Sequence, residues 1–229
     1  MARRLEARPE LNLRLEPRLG TNRTKEVYET LKEAILTQQL PPTTPLIESQ
    51  LAQALGLSKT PVREALLHLA NEGLVNLEPI KGASVHSLSL SEIRDIFEMR
   101  LHLEPLALIQ SAPLLSEAEL GALEQLLVEA ESALVKPDFA RLSLLNLQFH
   151  RGLYSAASNR LLVGWLDSLG ERRRLLSLQG WQRHNRSLAE WQEHRAILRA
   201  VQKGQTEVAA LRLREHIEQF YALLEHPQE

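Results

Sequence analysis

The sequence predicts a mainly α-helical protein, with an N-terminal winged helix-turn-helix and a C-terminal all-α helical bundle. Two observations predict this fold class. Residues 23–90 contain short helical patterns, a tight glycine turn and then a β-hairpin pattern. Residues 91–229 show apolar side chains at helical spacing only. We therefore predict two domains with a boundary near residue 90, preceded by a tail at residues 1–22.

The segment from Leu51 to Leu69 carries the helix-turn-helix pattern. A short helix at its start ends at Gly56, because glycine readily adopts the left-handed conformation of a helix terminus. A second helix follows, for which we predict Thr60 as the N-cap and Pro61 as the first helical residue. Its apolar side chains form one buried stripe and leave basic and hydroxyl groups exposed at the N-terminal end. This layout is typical of a DNA-binding unit.

A further helix and a hairpin complete the N-terminal domain. The helix begins near Thr24, places its apolar side chains on one face, and ends before Pro41. The β-prone runs LVNLE and ASVHS, separated by PIKG, predict a hairpin that forms the wing. Lys81 and Gly82 lie at its tip, where glycine lets the backbone approach a phosphate closely.

Five residues are candidates for contact with DNA: Lys59, Thr60, Arg63, Lys81 and Gly82. The first three lie at the exposed start of the second helix, and the last two lie in the wing. The alternatives are a surface arginine paired with a glutamate for Arg63 and an exposed turn lysine for Lys81.

Composition narrows the possible classes of protein. The chain of 229 residues has no cysteine, which excludes a disulfide framework, a thiolate nucleophile and a cysteine-based metal centre. The formal net charge is −2, and residues 23–90 carry six basic and seven acidic side chains, so contact with DNA depends on a few placed cations. No apolar run is long enough for a bilayer, and we expect a cytoplasmic protein with no membrane partner.

The tail at residues 1–22 contains five arginines and three glutamates together with proline and glycine. It has no sustained apolar stripe, and we predict a disordered basic tail. Its arginines either reach the minor groove of DNA or remain solvated.

Capping patterns divide the C-terminal part into helices. The predicted starts are the boxes of Ser89 with Glu92, Ser116 with Glu119 and Ser187 with Glu190, and the caps Asp138, Asn159 and Thr206. They predict six helices, at residues 92–111, 116–135, 139–157, 160–180, 188–203 and 206–225. Pro105 is expected to kink the first of them.

Three of these helices each place a histidine on an inner apolar stripe: His150, His194 and His216. Asn146 lies one turn before His150 on the same face. One such histidine is usually a hydrogen-bonded core residue. Three on separate helices, with an amide oxygen nearby, favour a site for a divalent metal such as Zn²⁺, Ni²⁺ or Mn²⁺. A buried histidine network without metal is the alternative.

Two basic features accompany the histidines. Arg100 lies on the inner stripe of the first bundle helix, where an unpaired charge is costly. Its partner is either Glu104, one turn later, or the carboxylate of a bound effector. The run of Arg172, Arg173 and Arg174 points in three directions, and we interpret it as a solvated or interface surface in preference to an effector clamp.

The residues from 51 to 75, LAQALGLSKTPVREALLHLANEGLV, resemble the helix-turn-helix signature of the GntR family of bacterial transcription factors. That family usually has arginine at the position of Lys59, and lysine lacks the bidentate fork that reads guanine. The runs FEMRLHLEPLAL, NLQFHRGLYSAASNRLL, EHRAIL and LREHIE resemble the FCD ligand-binding domain of the FadR subfamily. Six helices would match its shorter, VanR-like variant.

The second resemblance implies a ligand set. In many FCD domains an Asp or Asn and three His hold a divalent metal, which carries over to Asn146, His150, His194 and His216. The resemblance also implies a small organic acid that completes the coordination shell. Because an amide is a weaker and neutral ligand, Asn146 should lower metal affinity and favour an anionic effector.

The sequence therefore predicts a homodimeric, sequence-specific transcriptional regulator, usually a repressor in this family. It would bind a double-stranded operator with two-fold symmetry and respond to a small organic acid held at the metal, with Arg100 as a candidate contact. The competing hypothesis is a metal-dependent helical-bundle enzyme with an N-terminal interaction module. Against it, we expect no carboxylate base beside the three histidines and find no nucleophile with a visible partner.

Overall fold

The computed structural model describes residues 22–183 and 187–225, with the side chains of residues 182, 183 and 187 left out. The chain divides into two compact units, with the boundary between His86 and Ser87. Nearly all of the predicted basic tail lies outside the described residues.

In its described residues, 22–86, the N-terminal unit contains three helices and a small antiparallel sheet with strand order β1-β3-β2. Its elements are α1 (Arg23–Leu36), β1 (Pro45–Leu46), α2 (Glu48–Leu55), α3 (Lys59–Asn71), β2 (Val75–Glu78) and β3 (Gly82–Val85). The hairpin register pairs Val75 with Val85 and Glu78 with Gly82, which confirms the predicted wing. β1 was not predicted, because a strand of two residues carries no periodicity.

Helix α2 ends at Gly56, whose φ of 64° is the left-handed conformation that the sequence predicts there. Helix α3 begins at Lys59, earlier than predicted, with Ser58 as its N-cap and no side-chain cap bond. The prediction that Thr60 caps this helix is therefore wrong. Pro61 permits the earlier start, because the first-turn N–H groups of a helix have no intrahelical partner.

The described part of the C-terminal unit is an all-α bundle, as predicted, with seven α-helices where six were expected. Its helices are α4 (Leu90–Ser111), α5 (Glu117–Val135), α6 (Phe139–Tyr154), α7 (Arg160–Ser168), α8 (Gly170–Arg183), α9 (Ser187–Gln202) and α10 (Thr206–Glu225). A short 3₁₀ turn follows α4. The helix predicted at residues 160–180 is two helices separated by Leu169 alone. Ser168 Oγ donates to the carbonyl of Trp165 at 2.7 Å, and Gly170, a poor helix former, follows.

The local start signals agree with the structure. The capping boxes at Ser89 and Ser116 are both present, and Asp138 and Asn159 each accept a first-turn N–H bond. The side chain of Ser187 lies outside the described residues. Helix α4 continues through Pro105, and the kink there stays a prediction.

A small apolar core lies beneath α7, and a large one fills most of the bundle. Phe97, Phe149 and Ile217 are fully buried in it, together with side chains from most of the other helices. Gly180 brings α8 against α10, since a Cβ atom there would lie 2.4 Å from Phe220 Cζ. Within the described ranges, no helix is long and apolar enough to span a membrane.

Candidate functional site

The structure brings together the three histidines that the sequence singles out. His150 on α6, His194 on α9 and His216 on α10 are almost fully buried. Each offers one ligand atom, and these atoms lie within 4.8 Å of one another. The Nε2 atoms of His194 and His216 are 3.2 Å apart. Two nitrogens bound to one metal at their usual bond lengths stand roughly 2.9–3.4 Å apart, so the spacing fits a shared ion.

Carboxylates orient two of the three histidines. Nδ1 of His150 donates to Glu104 at 2.7 Å, and Nδ1 of His216 donates to Glu193 at 2.8 Å. A histidine held in this way presents the lone pair of Nε2 to a metal. The expectation that no carboxylate lies beside the histidines is therefore wrong. It failed because the glutamates are remote from their partners in sequence, by 46 residues for Glu104.

Asn146 is oriented by two acceptors. Its Nδ2 donates to Ser177 Oγ at 2.9 Å and to Glu190 Oε1 at 3.3 Å. The other carboxylate oxygen of Glu190 accepts the indole N–H of Trp181, and burial raises the pKa of this glutamate. Because both amide hydrogens of Asn146 are used, its Oδ1 remains available as a ligand atom. Glu190 therefore positions a predicted metal ligand.

The protonation states of the histidines suit the binding of a metal cation. Burial lowers the pKa of His150 to about 3 and holds the pKa of His194 well below its usual value. Both side chains are therefore neutral near pH 7, which is the form that binds metal. Among the described residues, Asn146 Oδ1, His150 Nε2 and His194 Nδ1 are buried without a hydrogen-bond partner. An unpaired buried polar atom costs about 1–3 kcal/mol, and a bound cation would satisfy Asn146 Oδ1 and His150 Nε2. His194 would bind the same ion through Nε2, so its Nδ1 does not bear on this point.

Glu104 is the centre of a buried ion-pair network. Its Oε1 accepts from Arg100 Nε at 2.7 Å and from Arg173 Nη1 at 3.0 Å, while Oε2 accepts from His150. Burial alone raises the pKa of Glu104, but the charges of Arg100 and Arg173 and the hydrogen bond from His150 hold it well below its usual value. Of the two partners expected for Arg100, the structure contains Glu104.

A narrow cleft adjoins His150, with a cavity volume of about 10 Å³, which is room for roughly one water molecule. It is lined by Arg100, Ser143, Asn146, Leu147, His150, Arg173, Arg174 and Ser177. Arg173 and Arg174 are 4% and 9% exposed, so the interpretation of the arginine run as a solvated surface is wrong for these two. Glu104, the ion-pair partner of Arg173, lies 69 residues away in the sequence, so no local sequence pattern predicts this buried pair.

The candidate DNA contacts lie on the surface of the N-terminal unit. Lys59, Thr60 and Arg63 are exposed at the start of α3, and Lys81 and Gly82 are exposed in the wing. Lys81 Nζ lies 2.8 Å from a carboxylate oxygen of Glu78 across the turn. Contact of this lysine with a phosphate would replace that ion pair.

Comparison with protein families identifies both units. Residues 23–85 match the model described as bacterial regulatory proteins, gntR family, and residues 95–219 match the FCD domain. The chain belongs to the GntR family, with an FCD domain. GntR proteins are DNA-binding transcriptional regulators, so this chain is a transcriptional regulator and not an enzyme.

Individual relatives agree with this assignment. The HTH-type transcriptional regulator YdhC of Bacillus subtilis is 29% identical over 202 residues, which cover 88% of this chain and 90% of YdhC. The HTH-type transcriptional repressor RspR of Escherichia coli is 27% identical over 145 residues, or 63% of this chain and 64% of RspR. The solved structure of E. coli McbR/YncC is similar in fold, with a TM-score of 0.74 at 24% identity over 90% of this chain and 98% of that one.

The contacts of Asn146 predict a specific coupling with Glu190. Asn146→Asp removes two donated hydrogen bonds and sets a second carboxylate against Glu190. In the metal-free protein it should lower the free energy of unfolding by about 1–3 kcal/mol, measured by denaturant titration. Adding Glu190→Gln should restore most of that loss, because the introduced amide donates to the new carboxylate and still accepts from Trp181.

The same double variant should bind Zn²⁺ more tightly than the parent, because a carboxylate is the stronger ligand. Asn146→Ala is the control, since it removes the ligand atom without adding a charge and should show little rescue by Glu190→Gln. Strictly additive effects of Asn146→Asp and Glu190→Gln on stability would contradict the proposed positioning role.

Proposed function

We propose that this regulator is a homodimeric repressor that acts in the cytoplasm, binds an operator with two-fold symmetry, and responds to a small organic acid bound at a divalent metal. The observation that carries the proposal is the convergence of three buried histidines, whose ligand atoms lie within 4.8 Å of one another. The unpaired Oδ1 of Asn146 and Nε2 of His150 lie beside a cleft lined by arginines. The similarity to RspR, which is named a repressor, supports the direction of regulation.

The metal would be held by Asn146, His150, His194 and His216. Three imidazole nitrogens and an amide oxygen are donors that suit Zn²⁺, Ni²⁺ or Mn²⁺. Four protein ligands leave coordination positions open for a carboxylate of the effector. In the alternative without metal, the same histidines form a hydrogen-bonded network in the core.

The effector would bind in the adjoining cleft. Arg100 lines this cleft and is also paired with Glu104. Its guanidinium could therefore attract an acid, and without the acid its buried charge still has a partner. Control of repression by the acid requires that the acid bind one arrangement of the dimer better than the other.

A metal-dependent effector site predicts ligand-induced stabilisation. With untagged protein loaded with Zn²⁺ or Ni²⁺, one acid from a panel of mono-, di- and hydroxy-carboxylates should raise the midpoint of thermal unfolding. At 100 times its Kd, a ligand adds about 2.7 kcal/mol of stability. His194→Ala should remove both the metal and the shift, whereas His102→Ala, at an exposed position of α4, should keep both.

Metal content decides between this site and the buried network. Elemental analysis of the untagged parent should give close to one metal ion per chain after loading and dialysis. A content below about a tenth of an ion per chain, unchanged by added Zn²⁺ or Ni²⁺, would exclude the metal site.

On DNA, α3 would lie in the major groove, with Lys59, Thr60 and Arg63 facing bases and phosphates, and the wing residues Lys81 and Gly82 would contact the backbone or minor groove. All five residues are exposed, which supports these roles.

Arg63 is the test of base recognition. Arg63→Ala should lose about 1–3 kcal/mol of affinity for an operator selected from random DNA, with little loss on unrelated duplex. Fluorescence anisotropy at fixed salt measures both affinities. Arg199→Ala, which removes an exposed arginine of α9, is the matched control. Equal losses on both DNAs would instead make Arg63 a phosphate contact.

An exposed apolar surface supports the homodimer. Leu161 and Trp165 lie one turn apart on α7 and are 79% and 62% exposed. Leu106 is an exposed leucine of α4, the helix whose Gln110 side chain accepts the backbone N–H of Asn159 at the start of α7. Such a cluster is costly to leave in water, and a second copy of the chain would cover it.

Trp165→Asp should therefore weaken dimerisation by about 2 kcal/mol or more, because a charge replaces a buried aromatic side chain at the interface. Sedimentation velocity across a concentration series measures the change. Val135→Asp alters an exposed apolar residue at the end of α5 and should leave the dimer intact. Unchanged self-association of the Trp165 variant would place the interface elsewhere.

A further inference from the structure

We infer that Ile80, at the tip of the wing, lies against the floor of the minor groove of the operator and selects A·T over G·C base pairs there. The inference rests on the proposed placement of the wing on DNA and adds a residue that determines sequence specificity. It gives the regulator a second point of base recognition, separate from the side chains of α3 in the major groove.

The fold of the wing does not require an apolar residue at this position. Ile80 is 98% exposed, the highest value for a large apolar side chain among the described residues. Pro79, Ile80 and Lys81 connect β2 to β3, and such connections usually hold glycine, asparagine, aspartate or serine. A β-branched apolar side chain favours strands because it packs there, and at the tip it has nothing to pack against. Its place is therefore explained by a contact outside the unit.

The backbone of the tip suits an approach into a narrow groove. The two strands pair as far as Glu78 and Gly82, so only three residues project beyond the ladder. Gly82 has a φ of 84°, and a Cβ atom built on it would meet nothing within 4 Å, so the tip is unobstructed on that side. The minor groove of B-DNA is about 6 Å wide and 7.5 Å deep, which admits an aliphatic side chain on a turn.

The residue after Ile80 supplies a contact with the DNA backbone. The side chain of Lys81 is 78% exposed, and its Nζ is paired with Glu78 at 2.8 Å. An ion pair this exposed contributes little stability, so exchange of the carboxylate for a phosphate costs little. A cation is also attracted by the negative potential of a narrow, A·T-rich minor groove. Because this hairpin belongs to a DNA-binding domain, DNA is the surface that best accounts for the exposed tip.

An apolar side chain distinguishes base pairs in the minor groove through one atom group. Both A·T and G·C pairs present acceptors there, but G·C adds the N2 amino group of guanine, which is a donor. Ile80 has no acceptor for that donor and would exclude the water that otherwise pairs with it. The amino group also projects from the groove floor into the space that the side chain would fill. Contact with Ile80 therefore favours A·T.

Binding to base-substituted operators tests this inference. An operator is selected from random DNA with the parent protein, and each A·T pair of a half-site is replaced in turn by G·C and by inosine·cytosine. Inosine lacks the N2 amino group but presents the same major-groove atoms as guanine. A pair read by Ile80 should tolerate inosine·cytosine and lose about fivefold or more in affinity with G·C, measured by fluorescence anisotropy. A pair read by α3 from the major groove should lose affinity with both replacements.

Variants assign the effect to the side chain. Ile80→Ala should reduce the G·C penalty to below about twofold, because the smaller side chain leaves room for a water at the amino group. Ile80→Val keeps an apolar, β-branched side chain and should retain most of the penalty. Val135→Ala alters an exposed apolar residue of α5 and should leave the penalty unchanged. Arg63→Ala should weaken operator binding while the ratio between inosine·cytosine and G·C at this pair stays the same.

The outcomes separate this inference from the proposal beneath it. A half-site in which no A·T pair shows this pattern, or in which the pattern survives Ile80→Ala, would overturn the inference and leave recognition by α3 in place. If Ile80→Ala changes self-association in sedimentation velocity and nothing on DNA, the tip is a protein contact and the inference is wrong. If no operator is selected, the proposed sequence-specific binding is wrong, and the inference falls with it.

Discussion

The buried carboxylate of Glu104 is the constraint on which the C-terminal unit depends. It is 1% exposed and joins residues of three helices, Arg100 on α4, His150 on α6 and Arg173 on α8. Removal of this carboxylate would leave two guanidinium groups buried without their charge partner, a change that is strongly destabilising. This one side chain therefore fixes the positions of Arg100 and Arg173, which line the cleft, relative to His150.

The same helix links the cleft to the apolar surface that we assign to the dimer. Glu104 faces inward on α4, while Leu106, two residues later, faces outward, and Leu103 packs on the small core beneath α7. Only Leu169 separates α7 from α8, which carries Arg173. An acid bound in the cleft would therefore contact elements continuous with the proposed dimer surface. The size of any such response is limited by the difference in the acid's affinity for the two arrangements.

How much the sequence predicts depends on the range of the interactions. Features decided within about four residues were predicted well, among them the capping boxes at Ser89 and Ser116 and the turn at Gly56. The histidines were also found, because helical periodicity places each on an inner stripe. The break at Leu169 was missed, since α8 resumes after one residue and hardly disturbs the periodicity. The burial of Arg173 was missed because its partner is remote in the chain.

The suitability of Asn146 as a proposed metal ligand depends on its neighbours as well as on its own amide group. Considered in isolation, an amide in place of a carboxylate weakens metal binding. In the structure, however, its Nδ2 donates to Glu190, and that glutamate is already fixed by the indole of Trp181. A carboxylate at this position would face another carboxylate in a buried setting, where like charges repel strongly. The neutral amide is therefore the group compatible with its surroundings. At the proposed metal it would leave more positive charge than a carboxylate, and that charge would attract an acidic effector.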